Sequence, residues 1–170
     1  MSRTLRRTAA VATATLLTSA AFIPTASADV EVFPDTGGHI TSVRVSHGSS
    51  NVAVTARDAE MEFTTYYRFW LDTDPKDPGP EYKTEVYPNS DGMVLQKVEN
   101  FSSEGTNVRC GGYRAIADAY GPEYAKIIVP RSCLGNPSKV RVSVTGFYDE
   151  NPDVVDWAPG KRKFTPWVYR

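Results

Sequence analysis

Apolar and polar residues alternate through most of the chain, and the longest alternating run, Met61 to Leu71, is also the richest in aromatics. A period of two over that length predicts a strand with one greasy and one amphipathic face. Met61, Phe63, Tyr67, Phe69 and Leu71 fall on the first face, and Glu62, Thr64, Tyr66, Arg68 and Trp70 on the second. Asp72 to Glu81 follows, where Pro75, Pro78, Gly79 and Pro80 forbid both helix and ladder. A partner strand then returns through Tyr82 to Tyr87.

The same pattern organises the rest. Residues 29–37 read as a lead-in able to add an edge strand. Ile40, Val43 and Val45, then Val52, Val54 and Ala56, alternate with polar residues around His47-Gly-Ser-Ser-Asn51, which predicts a hairpin. A turn at 88–92 and a strand from Met93 to Val98 come next, then a polar segment from Glu99 to Gly112 expected to be a long exposed loop. Tyr113–Tyr120 and Glu123–Val129 form a second predicted hairpin about Gly121-Pro122. A single helical turn near 131–135 is expected to stop at Gly135, and Val140, Val142 and Val144 mark a further strand running to Phe147. The tail from Asp149 carries Trp157 and Trp167 and is expected to fold back and plug one end of the sheets. About eight or nine short strands separated by turn residues predict an all-β fold, an antiparallel β-sandwich.

The first 28 residues stand apart from this pattern. Arg3, Arg6 and Arg7 precede an apolar run from Thr8 to Ile23, followed by Ala26-Ser27-Ala28. That is the layout of a Sec-type export signal cleaved after Ala28, and at about 16 residues the run is short of the ~20 a membrane span needs. Residues 29–170 then form one secreted domain. Loss of three arginines leaves 16 Lys and Arg against 20 Asp and Glu, a net charge of −4. Such a balance argues against nucleic acid or an anionic membrane as partner. Cys110 and Cys133, the two cysteines of the chain, should pair in an oxidising compartment. Closing a loop of about 24 residues would stabilise the fold by roughly 3 kcal/mol on chain-entropy grounds.

At Phe69-Trp-Leu-Asp-Thr-Asp-Pro75, Pro78-Gly-Pro-Glu-Tyr82, Val129-Pro-Arg-Ser-Cys-Leu-Gly135, Val140-Arg-Val142 and Asp156-Trp-Ala-Pro-Gly160 the chain resembles uncharacterised small secreted proteins of actinomycetes. Its strand-and-turn layout also resembles the sandwiches of extracellular carbohydrate- and cofactor-binding modules. The resemblance implies a secreted β-sandwich and carries no activity with it.

Candidate chemistry is confined to the central unit. Tyr66, Arg68 and Trp70 share a face, and with Tyr82 and Tyr87 on the partner strand they make an aromatic platform beside a cation, suited to stacking a sugar or small flat ligand; the competing expectation is that a second layer covers them. Asp72, Asp74 and Asp77, with Glu81 in reserve, are hard oxygen ligands in a tight loop and so candidates for calcium. Their spacing departs from the EF-hand loop, and the plainer expectation is that they form a solvated turn. His39 and His47 lie at opposite ends of one strand, some 25 Å apart at ~3.3 Å per residue, too far to share a site. Ser46, Ser49, Ser50 and Asp58 near His47 lack a nucleophile-elbow pattern. With no convergent catalytic signal, the expected function is a non-catalytic binding module; the alternative is a secreted interaction protein, a protease inhibitor or complex subunit, presenting the loop at 72–81 or 99–112.

Overall fold

A computed structural model describes residues 29–88, 93–148 and 155–170. The signal segment, most of the 88–92 turn and the start of the tail lie outside those residues. Among the described residues there are twelve strands: β1 Asp29–Pro34, β2 Ile40–His47, β3 Asn51–Asp58, β4 Tyr66–Asp72, β5 Tyr82–Val86, β6 Gln96–Lys97, β7 Thr106–Asn107, β8 Arg114–Asp118, β9 Tyr124–Pro130, β10 Lys139–Phe147, β11 Val155–Ala158 and β12 Val168–Tyr169. They form two antiparallel sheets, one of five strands ordered β1-β2-β3-β9-β8 and one of seven ordered β11-β10-β4-β5-β6-β7 with β12 also on β10. The all-β sandwich expected from the alternation is therefore the fold found, with more strands because several pieces are only two residues long.

The two inner faces meet in one core. Val43, Val45, Val52, Val54, Ala56, Ile127 and Val129 come from the first sheet, and Tyr67, Phe69, Leu71, Val86, Val140, Val142 and Val144 from the second, all essentially without solvent contact. Apolar burial of this kind contributes about 25 cal/mol per Å² and drives the two layers together. Both predicted hairpins are present, β2 with β3 and β8 with β9, and β1 adds the edge strand. The predicted helical turn is a 3₁₀ turn at Arg131–Leu134, stopped where Gly135 takes the left-handed backbone that glycine adopts freely. Arg131 is buried there and its guanidinium donates to the carbonyls of Ser49, Asn136 and Pro137. Cys110 and Cys133 are joined, Cα atoms 5.6 Å apart, which ties the polar loop before β8 to this turn.

Three expectations are corrected. The strand beginning at Met61 begins instead at Tyr66, because Thr65 closes a turn with Glu62: its Oγ1 accepts the Glu62 N–H and its own N–H donates to the Glu62 carbonyl. Phe63 therefore sits in a turn and is 47% exposed, while Met61 remains buried. Of Met93–Val98 only Gln96 and Lys97 join the ladder. The tail does not plug an end of the sheets: β11 and β12 both lie along β10, capping that edge and sending the intervening residues over the outer face.

One buried carboxylate joins the layers. Asp58, at the end of β3, accepts hydrogen bonds from Tyr67 on β4 at 2.6 Å and from Tyr148 just beyond β10. Burial, reinforced by this carboxylate, pushes the Tyr67 hydroxyl far above its ordinary range, so both rings act as donors at any physiological pH. Tyr67→Phe removes one donor from a buried charge, and urea unfolding is expected to show a loss of about 1.5–3 kcal/mol; a loss below about 0.5 kcal/mol would mean that Asp58 finds its compensation elsewhere.

A cationic aromatic groove on the outer face

β4 holds the central place in the seven-stranded sheet, between β10 and β5. Its alternation sends Tyr67, Phe69 and Leu71 inward, which leaves Tyr66, Arg68 and Trp70 on the outer face. The ladder sets Tyr66 opposite Phe147, Arg68 opposite Thr145 and Glu85, and Trp70 opposite Ser143 and Lys83. Tyr66 is stacked between Tyr87 and Phe147, with ring centroids at 4.9 and 4.4 Å. The Arg68 guanidinium lies 5.0 Å from the Phe147 ring and 5.5 Å from Trp70, and pairs with Glu85 through Nε at 2.8 Å. Burial alone would raise the Glu85 carboxyl, but the Tyr87 hydroxyl and Arg68 hold it below its ordinary value, so the pair stays ionised.

A second layer covers part of this face. Trp70 is only 1% exposed: its Nε1 donates to Thr145 Oγ1 at 3.2 Å, and Phe101 stands edge-on at 5.1 Å. Phe101 is a hub, with Trp157 of β11 at 5.8 Å and Phe164 at 5.2 Å. Its loop is anchored by Lys83 Nζ donating to the Ser103 carbonyl at 2.8 Å. Between loop and tail a groove of about 410 Å³ remains open, floored by Trp70, Phe101, Phe147 and Trp157 and flanked by Arg68, Lys161 and Arg162. Further along, Arg141 stacks on Phe164 and Trp167 at 4.8 and 4.6 Å, and Lys139 on Trp167 at 4.6 Å. Arg68, Arg141 and Lys139 thus each lie against aromatic rings of this face.

Of the platform residues read from sequence, Tyr66, Arg68, Trp70 and Tyr87 are brought together. Tyr82 is not: it stands opposite Leu71 and so packs on the core side, and Lys83 and Glu85 take its place beside Trp70 and Arg68. The calcium trio is not gathered either. Asp72 is wholly buried, with Oδ2 held by Arg141 Nε at 2.6 Å. Asp74 accepts the Lys76 N–H at 2.9 Å and Asp77 is exposed, so both act in the turn. Glu81 accepts from the N–H groups of Thr73 and Asp74, closing the loop on itself. Among the described residues no three acidic, histidine or cysteine side chains lie close enough to hold a metal ion. His47 is buried against the Val168 carbonyl, and burial lowers its pKa, which leaves it neutral; His39 stacks on Tyr148 at 4.3 Å.

Sequence reasoning missed Phe101, Phe147, Trp157, Lys161 and Arg162. A lone aromatic inside the Ser- and Gly-rich 99–112 segment was the available signal, since an exposed loop has no use for a phenyl ring. No family model matches the chain, and no match was found among curated proteins or solved structures. What the fold and groove define is a disulfide-closed antiparallel β-sandwich with an aromatic, cation-flanked groove on one outer face. Among the described residues no helix is long and apolar enough to cross a membrane.

The Asp72–Arg141 pair gives a pH signature. Burial, with Glu81 adding to it and Arg141 opposing it, lifts Asp72 from 3.8 to about 6. The folded state therefore binds this proton more tightly than the unfolded chain, a stabilising contribution complete below about pH 4 and lost as pH rises through 6. The stability of wild type relative to Asp72→Asn is expected to fall by up to about 3 kcal/mol from pH 4 to 7. A difference that is flat with pH would show that Asp72 keeps an ordinary pKa in the fold.

Proposed function

We propose that the chain is a secreted, non-catalytic binding module that seats a glycan or comparably flat small ligand in the groove over β4. The observation that carries this reading is the groove itself, lined by Trp70, Phe101, Phe147 and Trp157 together with Arg68, Lys161 and Arg162. Sugar rings present apolar CH faces that stack on such rings, while their hydroxyls accept hydrogen bonds from guanidinium and ammonium groups. The second layer leaves Trp157 half-exposed and rigidly placed by the β10–β11 ladder, so little ordering entropy is lost on binding. The Cys110–Cys133 bridge and the signal-like first 28 residues both support an extracellular setting.

The interaction-protein reading keeps one specific support. Asp74 to Pro78 is exposed on a loop that Glu81 holds in shape, as a loop presented to another protein would be. The 99–112 loop fits that reading less well, because Phe101 is committed to the groove.

Retention on insoluble cellulose or chitin tests the proposal. Wild type is expected to be retained and Trp157→Ala to lose about tenfold or more in affinity, the ~1.4 kcal/mol of a single stacked ring, with the thermal midpoint little changed. Trp70→Ala is a poor probe because that indole is a structural support. Absence of retention on any polysaccharide, or equal retention by Trp157→Ala, would overturn the groove reading; stoichiometric co-purification of one protein from culture fluid would favour the alternative.

A further inference from the structure

β8 is the outermost strand of the five-stranded sheet, with no strand on its far side among the described residues. The β3–β9 ladder shows which of its backbone groups are free. Asp58 N–H donates to the Glu123 carbonyl and Arg131 N–H to the Ser50 carbonyl, one at each end of that ladder. Bonded pairs recur at every second residue of an antiparallel ladder, so Ala125, Ile127 and Val129 turn their backbone groups to β3, and Tyr124, Lys126 and Ile128 turn theirs to β8. Opposite the latter three stand Asp118, Ile116 and Arg114. The N–H and C=O groups of Ala115 and Ala117 therefore point off the edge, and among the described residues no hydrogen bond reaches them. Both alanines pack toward the core, while Arg114, Ile116 and Asp118 lie on the outer face, with Ile116 42% exposed. Among the described residues neither Arg114 nor Asp118 is in an ion pair; Asp118 Oδ1 accepts the N–H groups of Tyr120 and Gly121, and Oδ2 accepts none.

We propose that β8 pairs antiparallel with β8 of a second copy of this chain, about a two-fold axis at Ile116, and so joins two five-stranded sheets into one. The strand Arg114-Ala-Ile-Ala-Asp118 is its own complement in that register. Ala115 of each copy stands opposite Ala117 of the other, and the two alanine pairs exchange every N–H and C=O group that the single chain leaves free. Ile116 then meets Ile116, and Arg114 meets Asp118 at both ends. These are the non-bonded pairs of the ladder, in which side chains approach most closely, and opposite charges set directly across favour the pairing. The other edge of the sheet has no such match. A two-fold pairing of β1 centred on Glu31 sets two carboxylates face to face, and one centred on Val32 needs an N–H that Pro34 lacks. The axis of an antiparallel pair stands perpendicular to the sheet, so both seven-stranded sheets fall on one side and their grooves face the same surface. Retention on an insoluble glycan would then gain from two points of attachment. That gain rests on the groove reading; the pairing does not.

Sedimentation equilibrium of the full mature chain, up to millimolar concentration, tests this. Wild type is expected to show a reversible monomer–dimer equilibrium, and Trp157→Ala the same one. Arg114→Asp sets carboxylates across the joint and Asp118→Arg sets guanidinium groups there, so each alone is expected to weaken self-association about tenfold or more. An equimolar mixture of the two is expected to restore it, because the mixed pair again has opposite charges at both ends. Ala117→Pro removes an N–H that the single chain does not use, a change an edge strand tolerates, and is expected to melt close to wild type while losing the dimer. Wild type that stays monomeric throughout would overturn the proposal. So would a dimer left as tight by Arg114→Asp or Ala117→Pro, or a mixture of the two folded charge variants that associates no better than its components.

Discussion

Because side chains on a strand alternate between its two faces, β4 has to supply the core and the outer face with the same seven residues, Tyr66 to Asp72. Tyr67, Phe69 and Leu71 are spent on the interior, and their register cannot slip by one without turning the core out to water. That register alone fixes where Arg68 and Trp70 emerge. A bulky indole on an outer face is a liability when bare, and the chain answers by laying Phe101 from one loop, and Phe164 and Trp157 from the tail, over it. The groove is what this second layer leaves open, so its shape follows from the packing of β4.

Charge follows the same logic. A carboxylate taken out of water is costly unless it is paired or hydrogen-bonded. Asp58 meets that cost with two tyrosine hydroxyls across the core, and for Asp72 Arg141 on the neighbouring strand offsets part of it. Tyr148 and Arg141 come from distant parts of the chain, 90 and 69 residues from the carboxylates they meet, so these interactions lock segments that sequence places far apart. Arg141 is then held flat enough to stack on Phe164 and Trp167, which extends the row of rings and cations beyond the groove. On the outer face of the five-stranded sheet Arg44, Arg57, Arg114 and Lys126 outnumber the one carboxylate, Asp118, despite the overall balance.

Most of the strands were legible from alternation, and so were both hairpins, the 3₁₀ turn ending at Gly135 and the Cys110–Cys133 bridge. What was not legible depended on register and on long-range contact. Tyr82 and Lys83 differ by one position, and only the pairing of Leu71 with Tyr82 decides which of them stands beside Trp70 on the outer face. Asp72 looked like a loop carboxylate because Arg141, its partner, lies 69 residues on. Net charge concealed the basic sheet face for the same reason: the sum is a property of composition, and the asymmetry appears only when strands are laid side by side.

The central claim is that ligand meets the protein where the second layer crosses β4. The three indole N–H resonances provide the direct readout, since Trp70, Trp157 and Trp167 are all the tryptophans in the chain. Nuclear magnetic resonance spectra recorded during titration with soluble cello- and chito-oligosaccharides are predicted to show Trp157 and Trp70 shifting together along one binding curve, with Trp167 little affected. Shifts at Trp167 alone, or indoles that all stay in place while the oligosaccharide binds elsewhere, would contradict it.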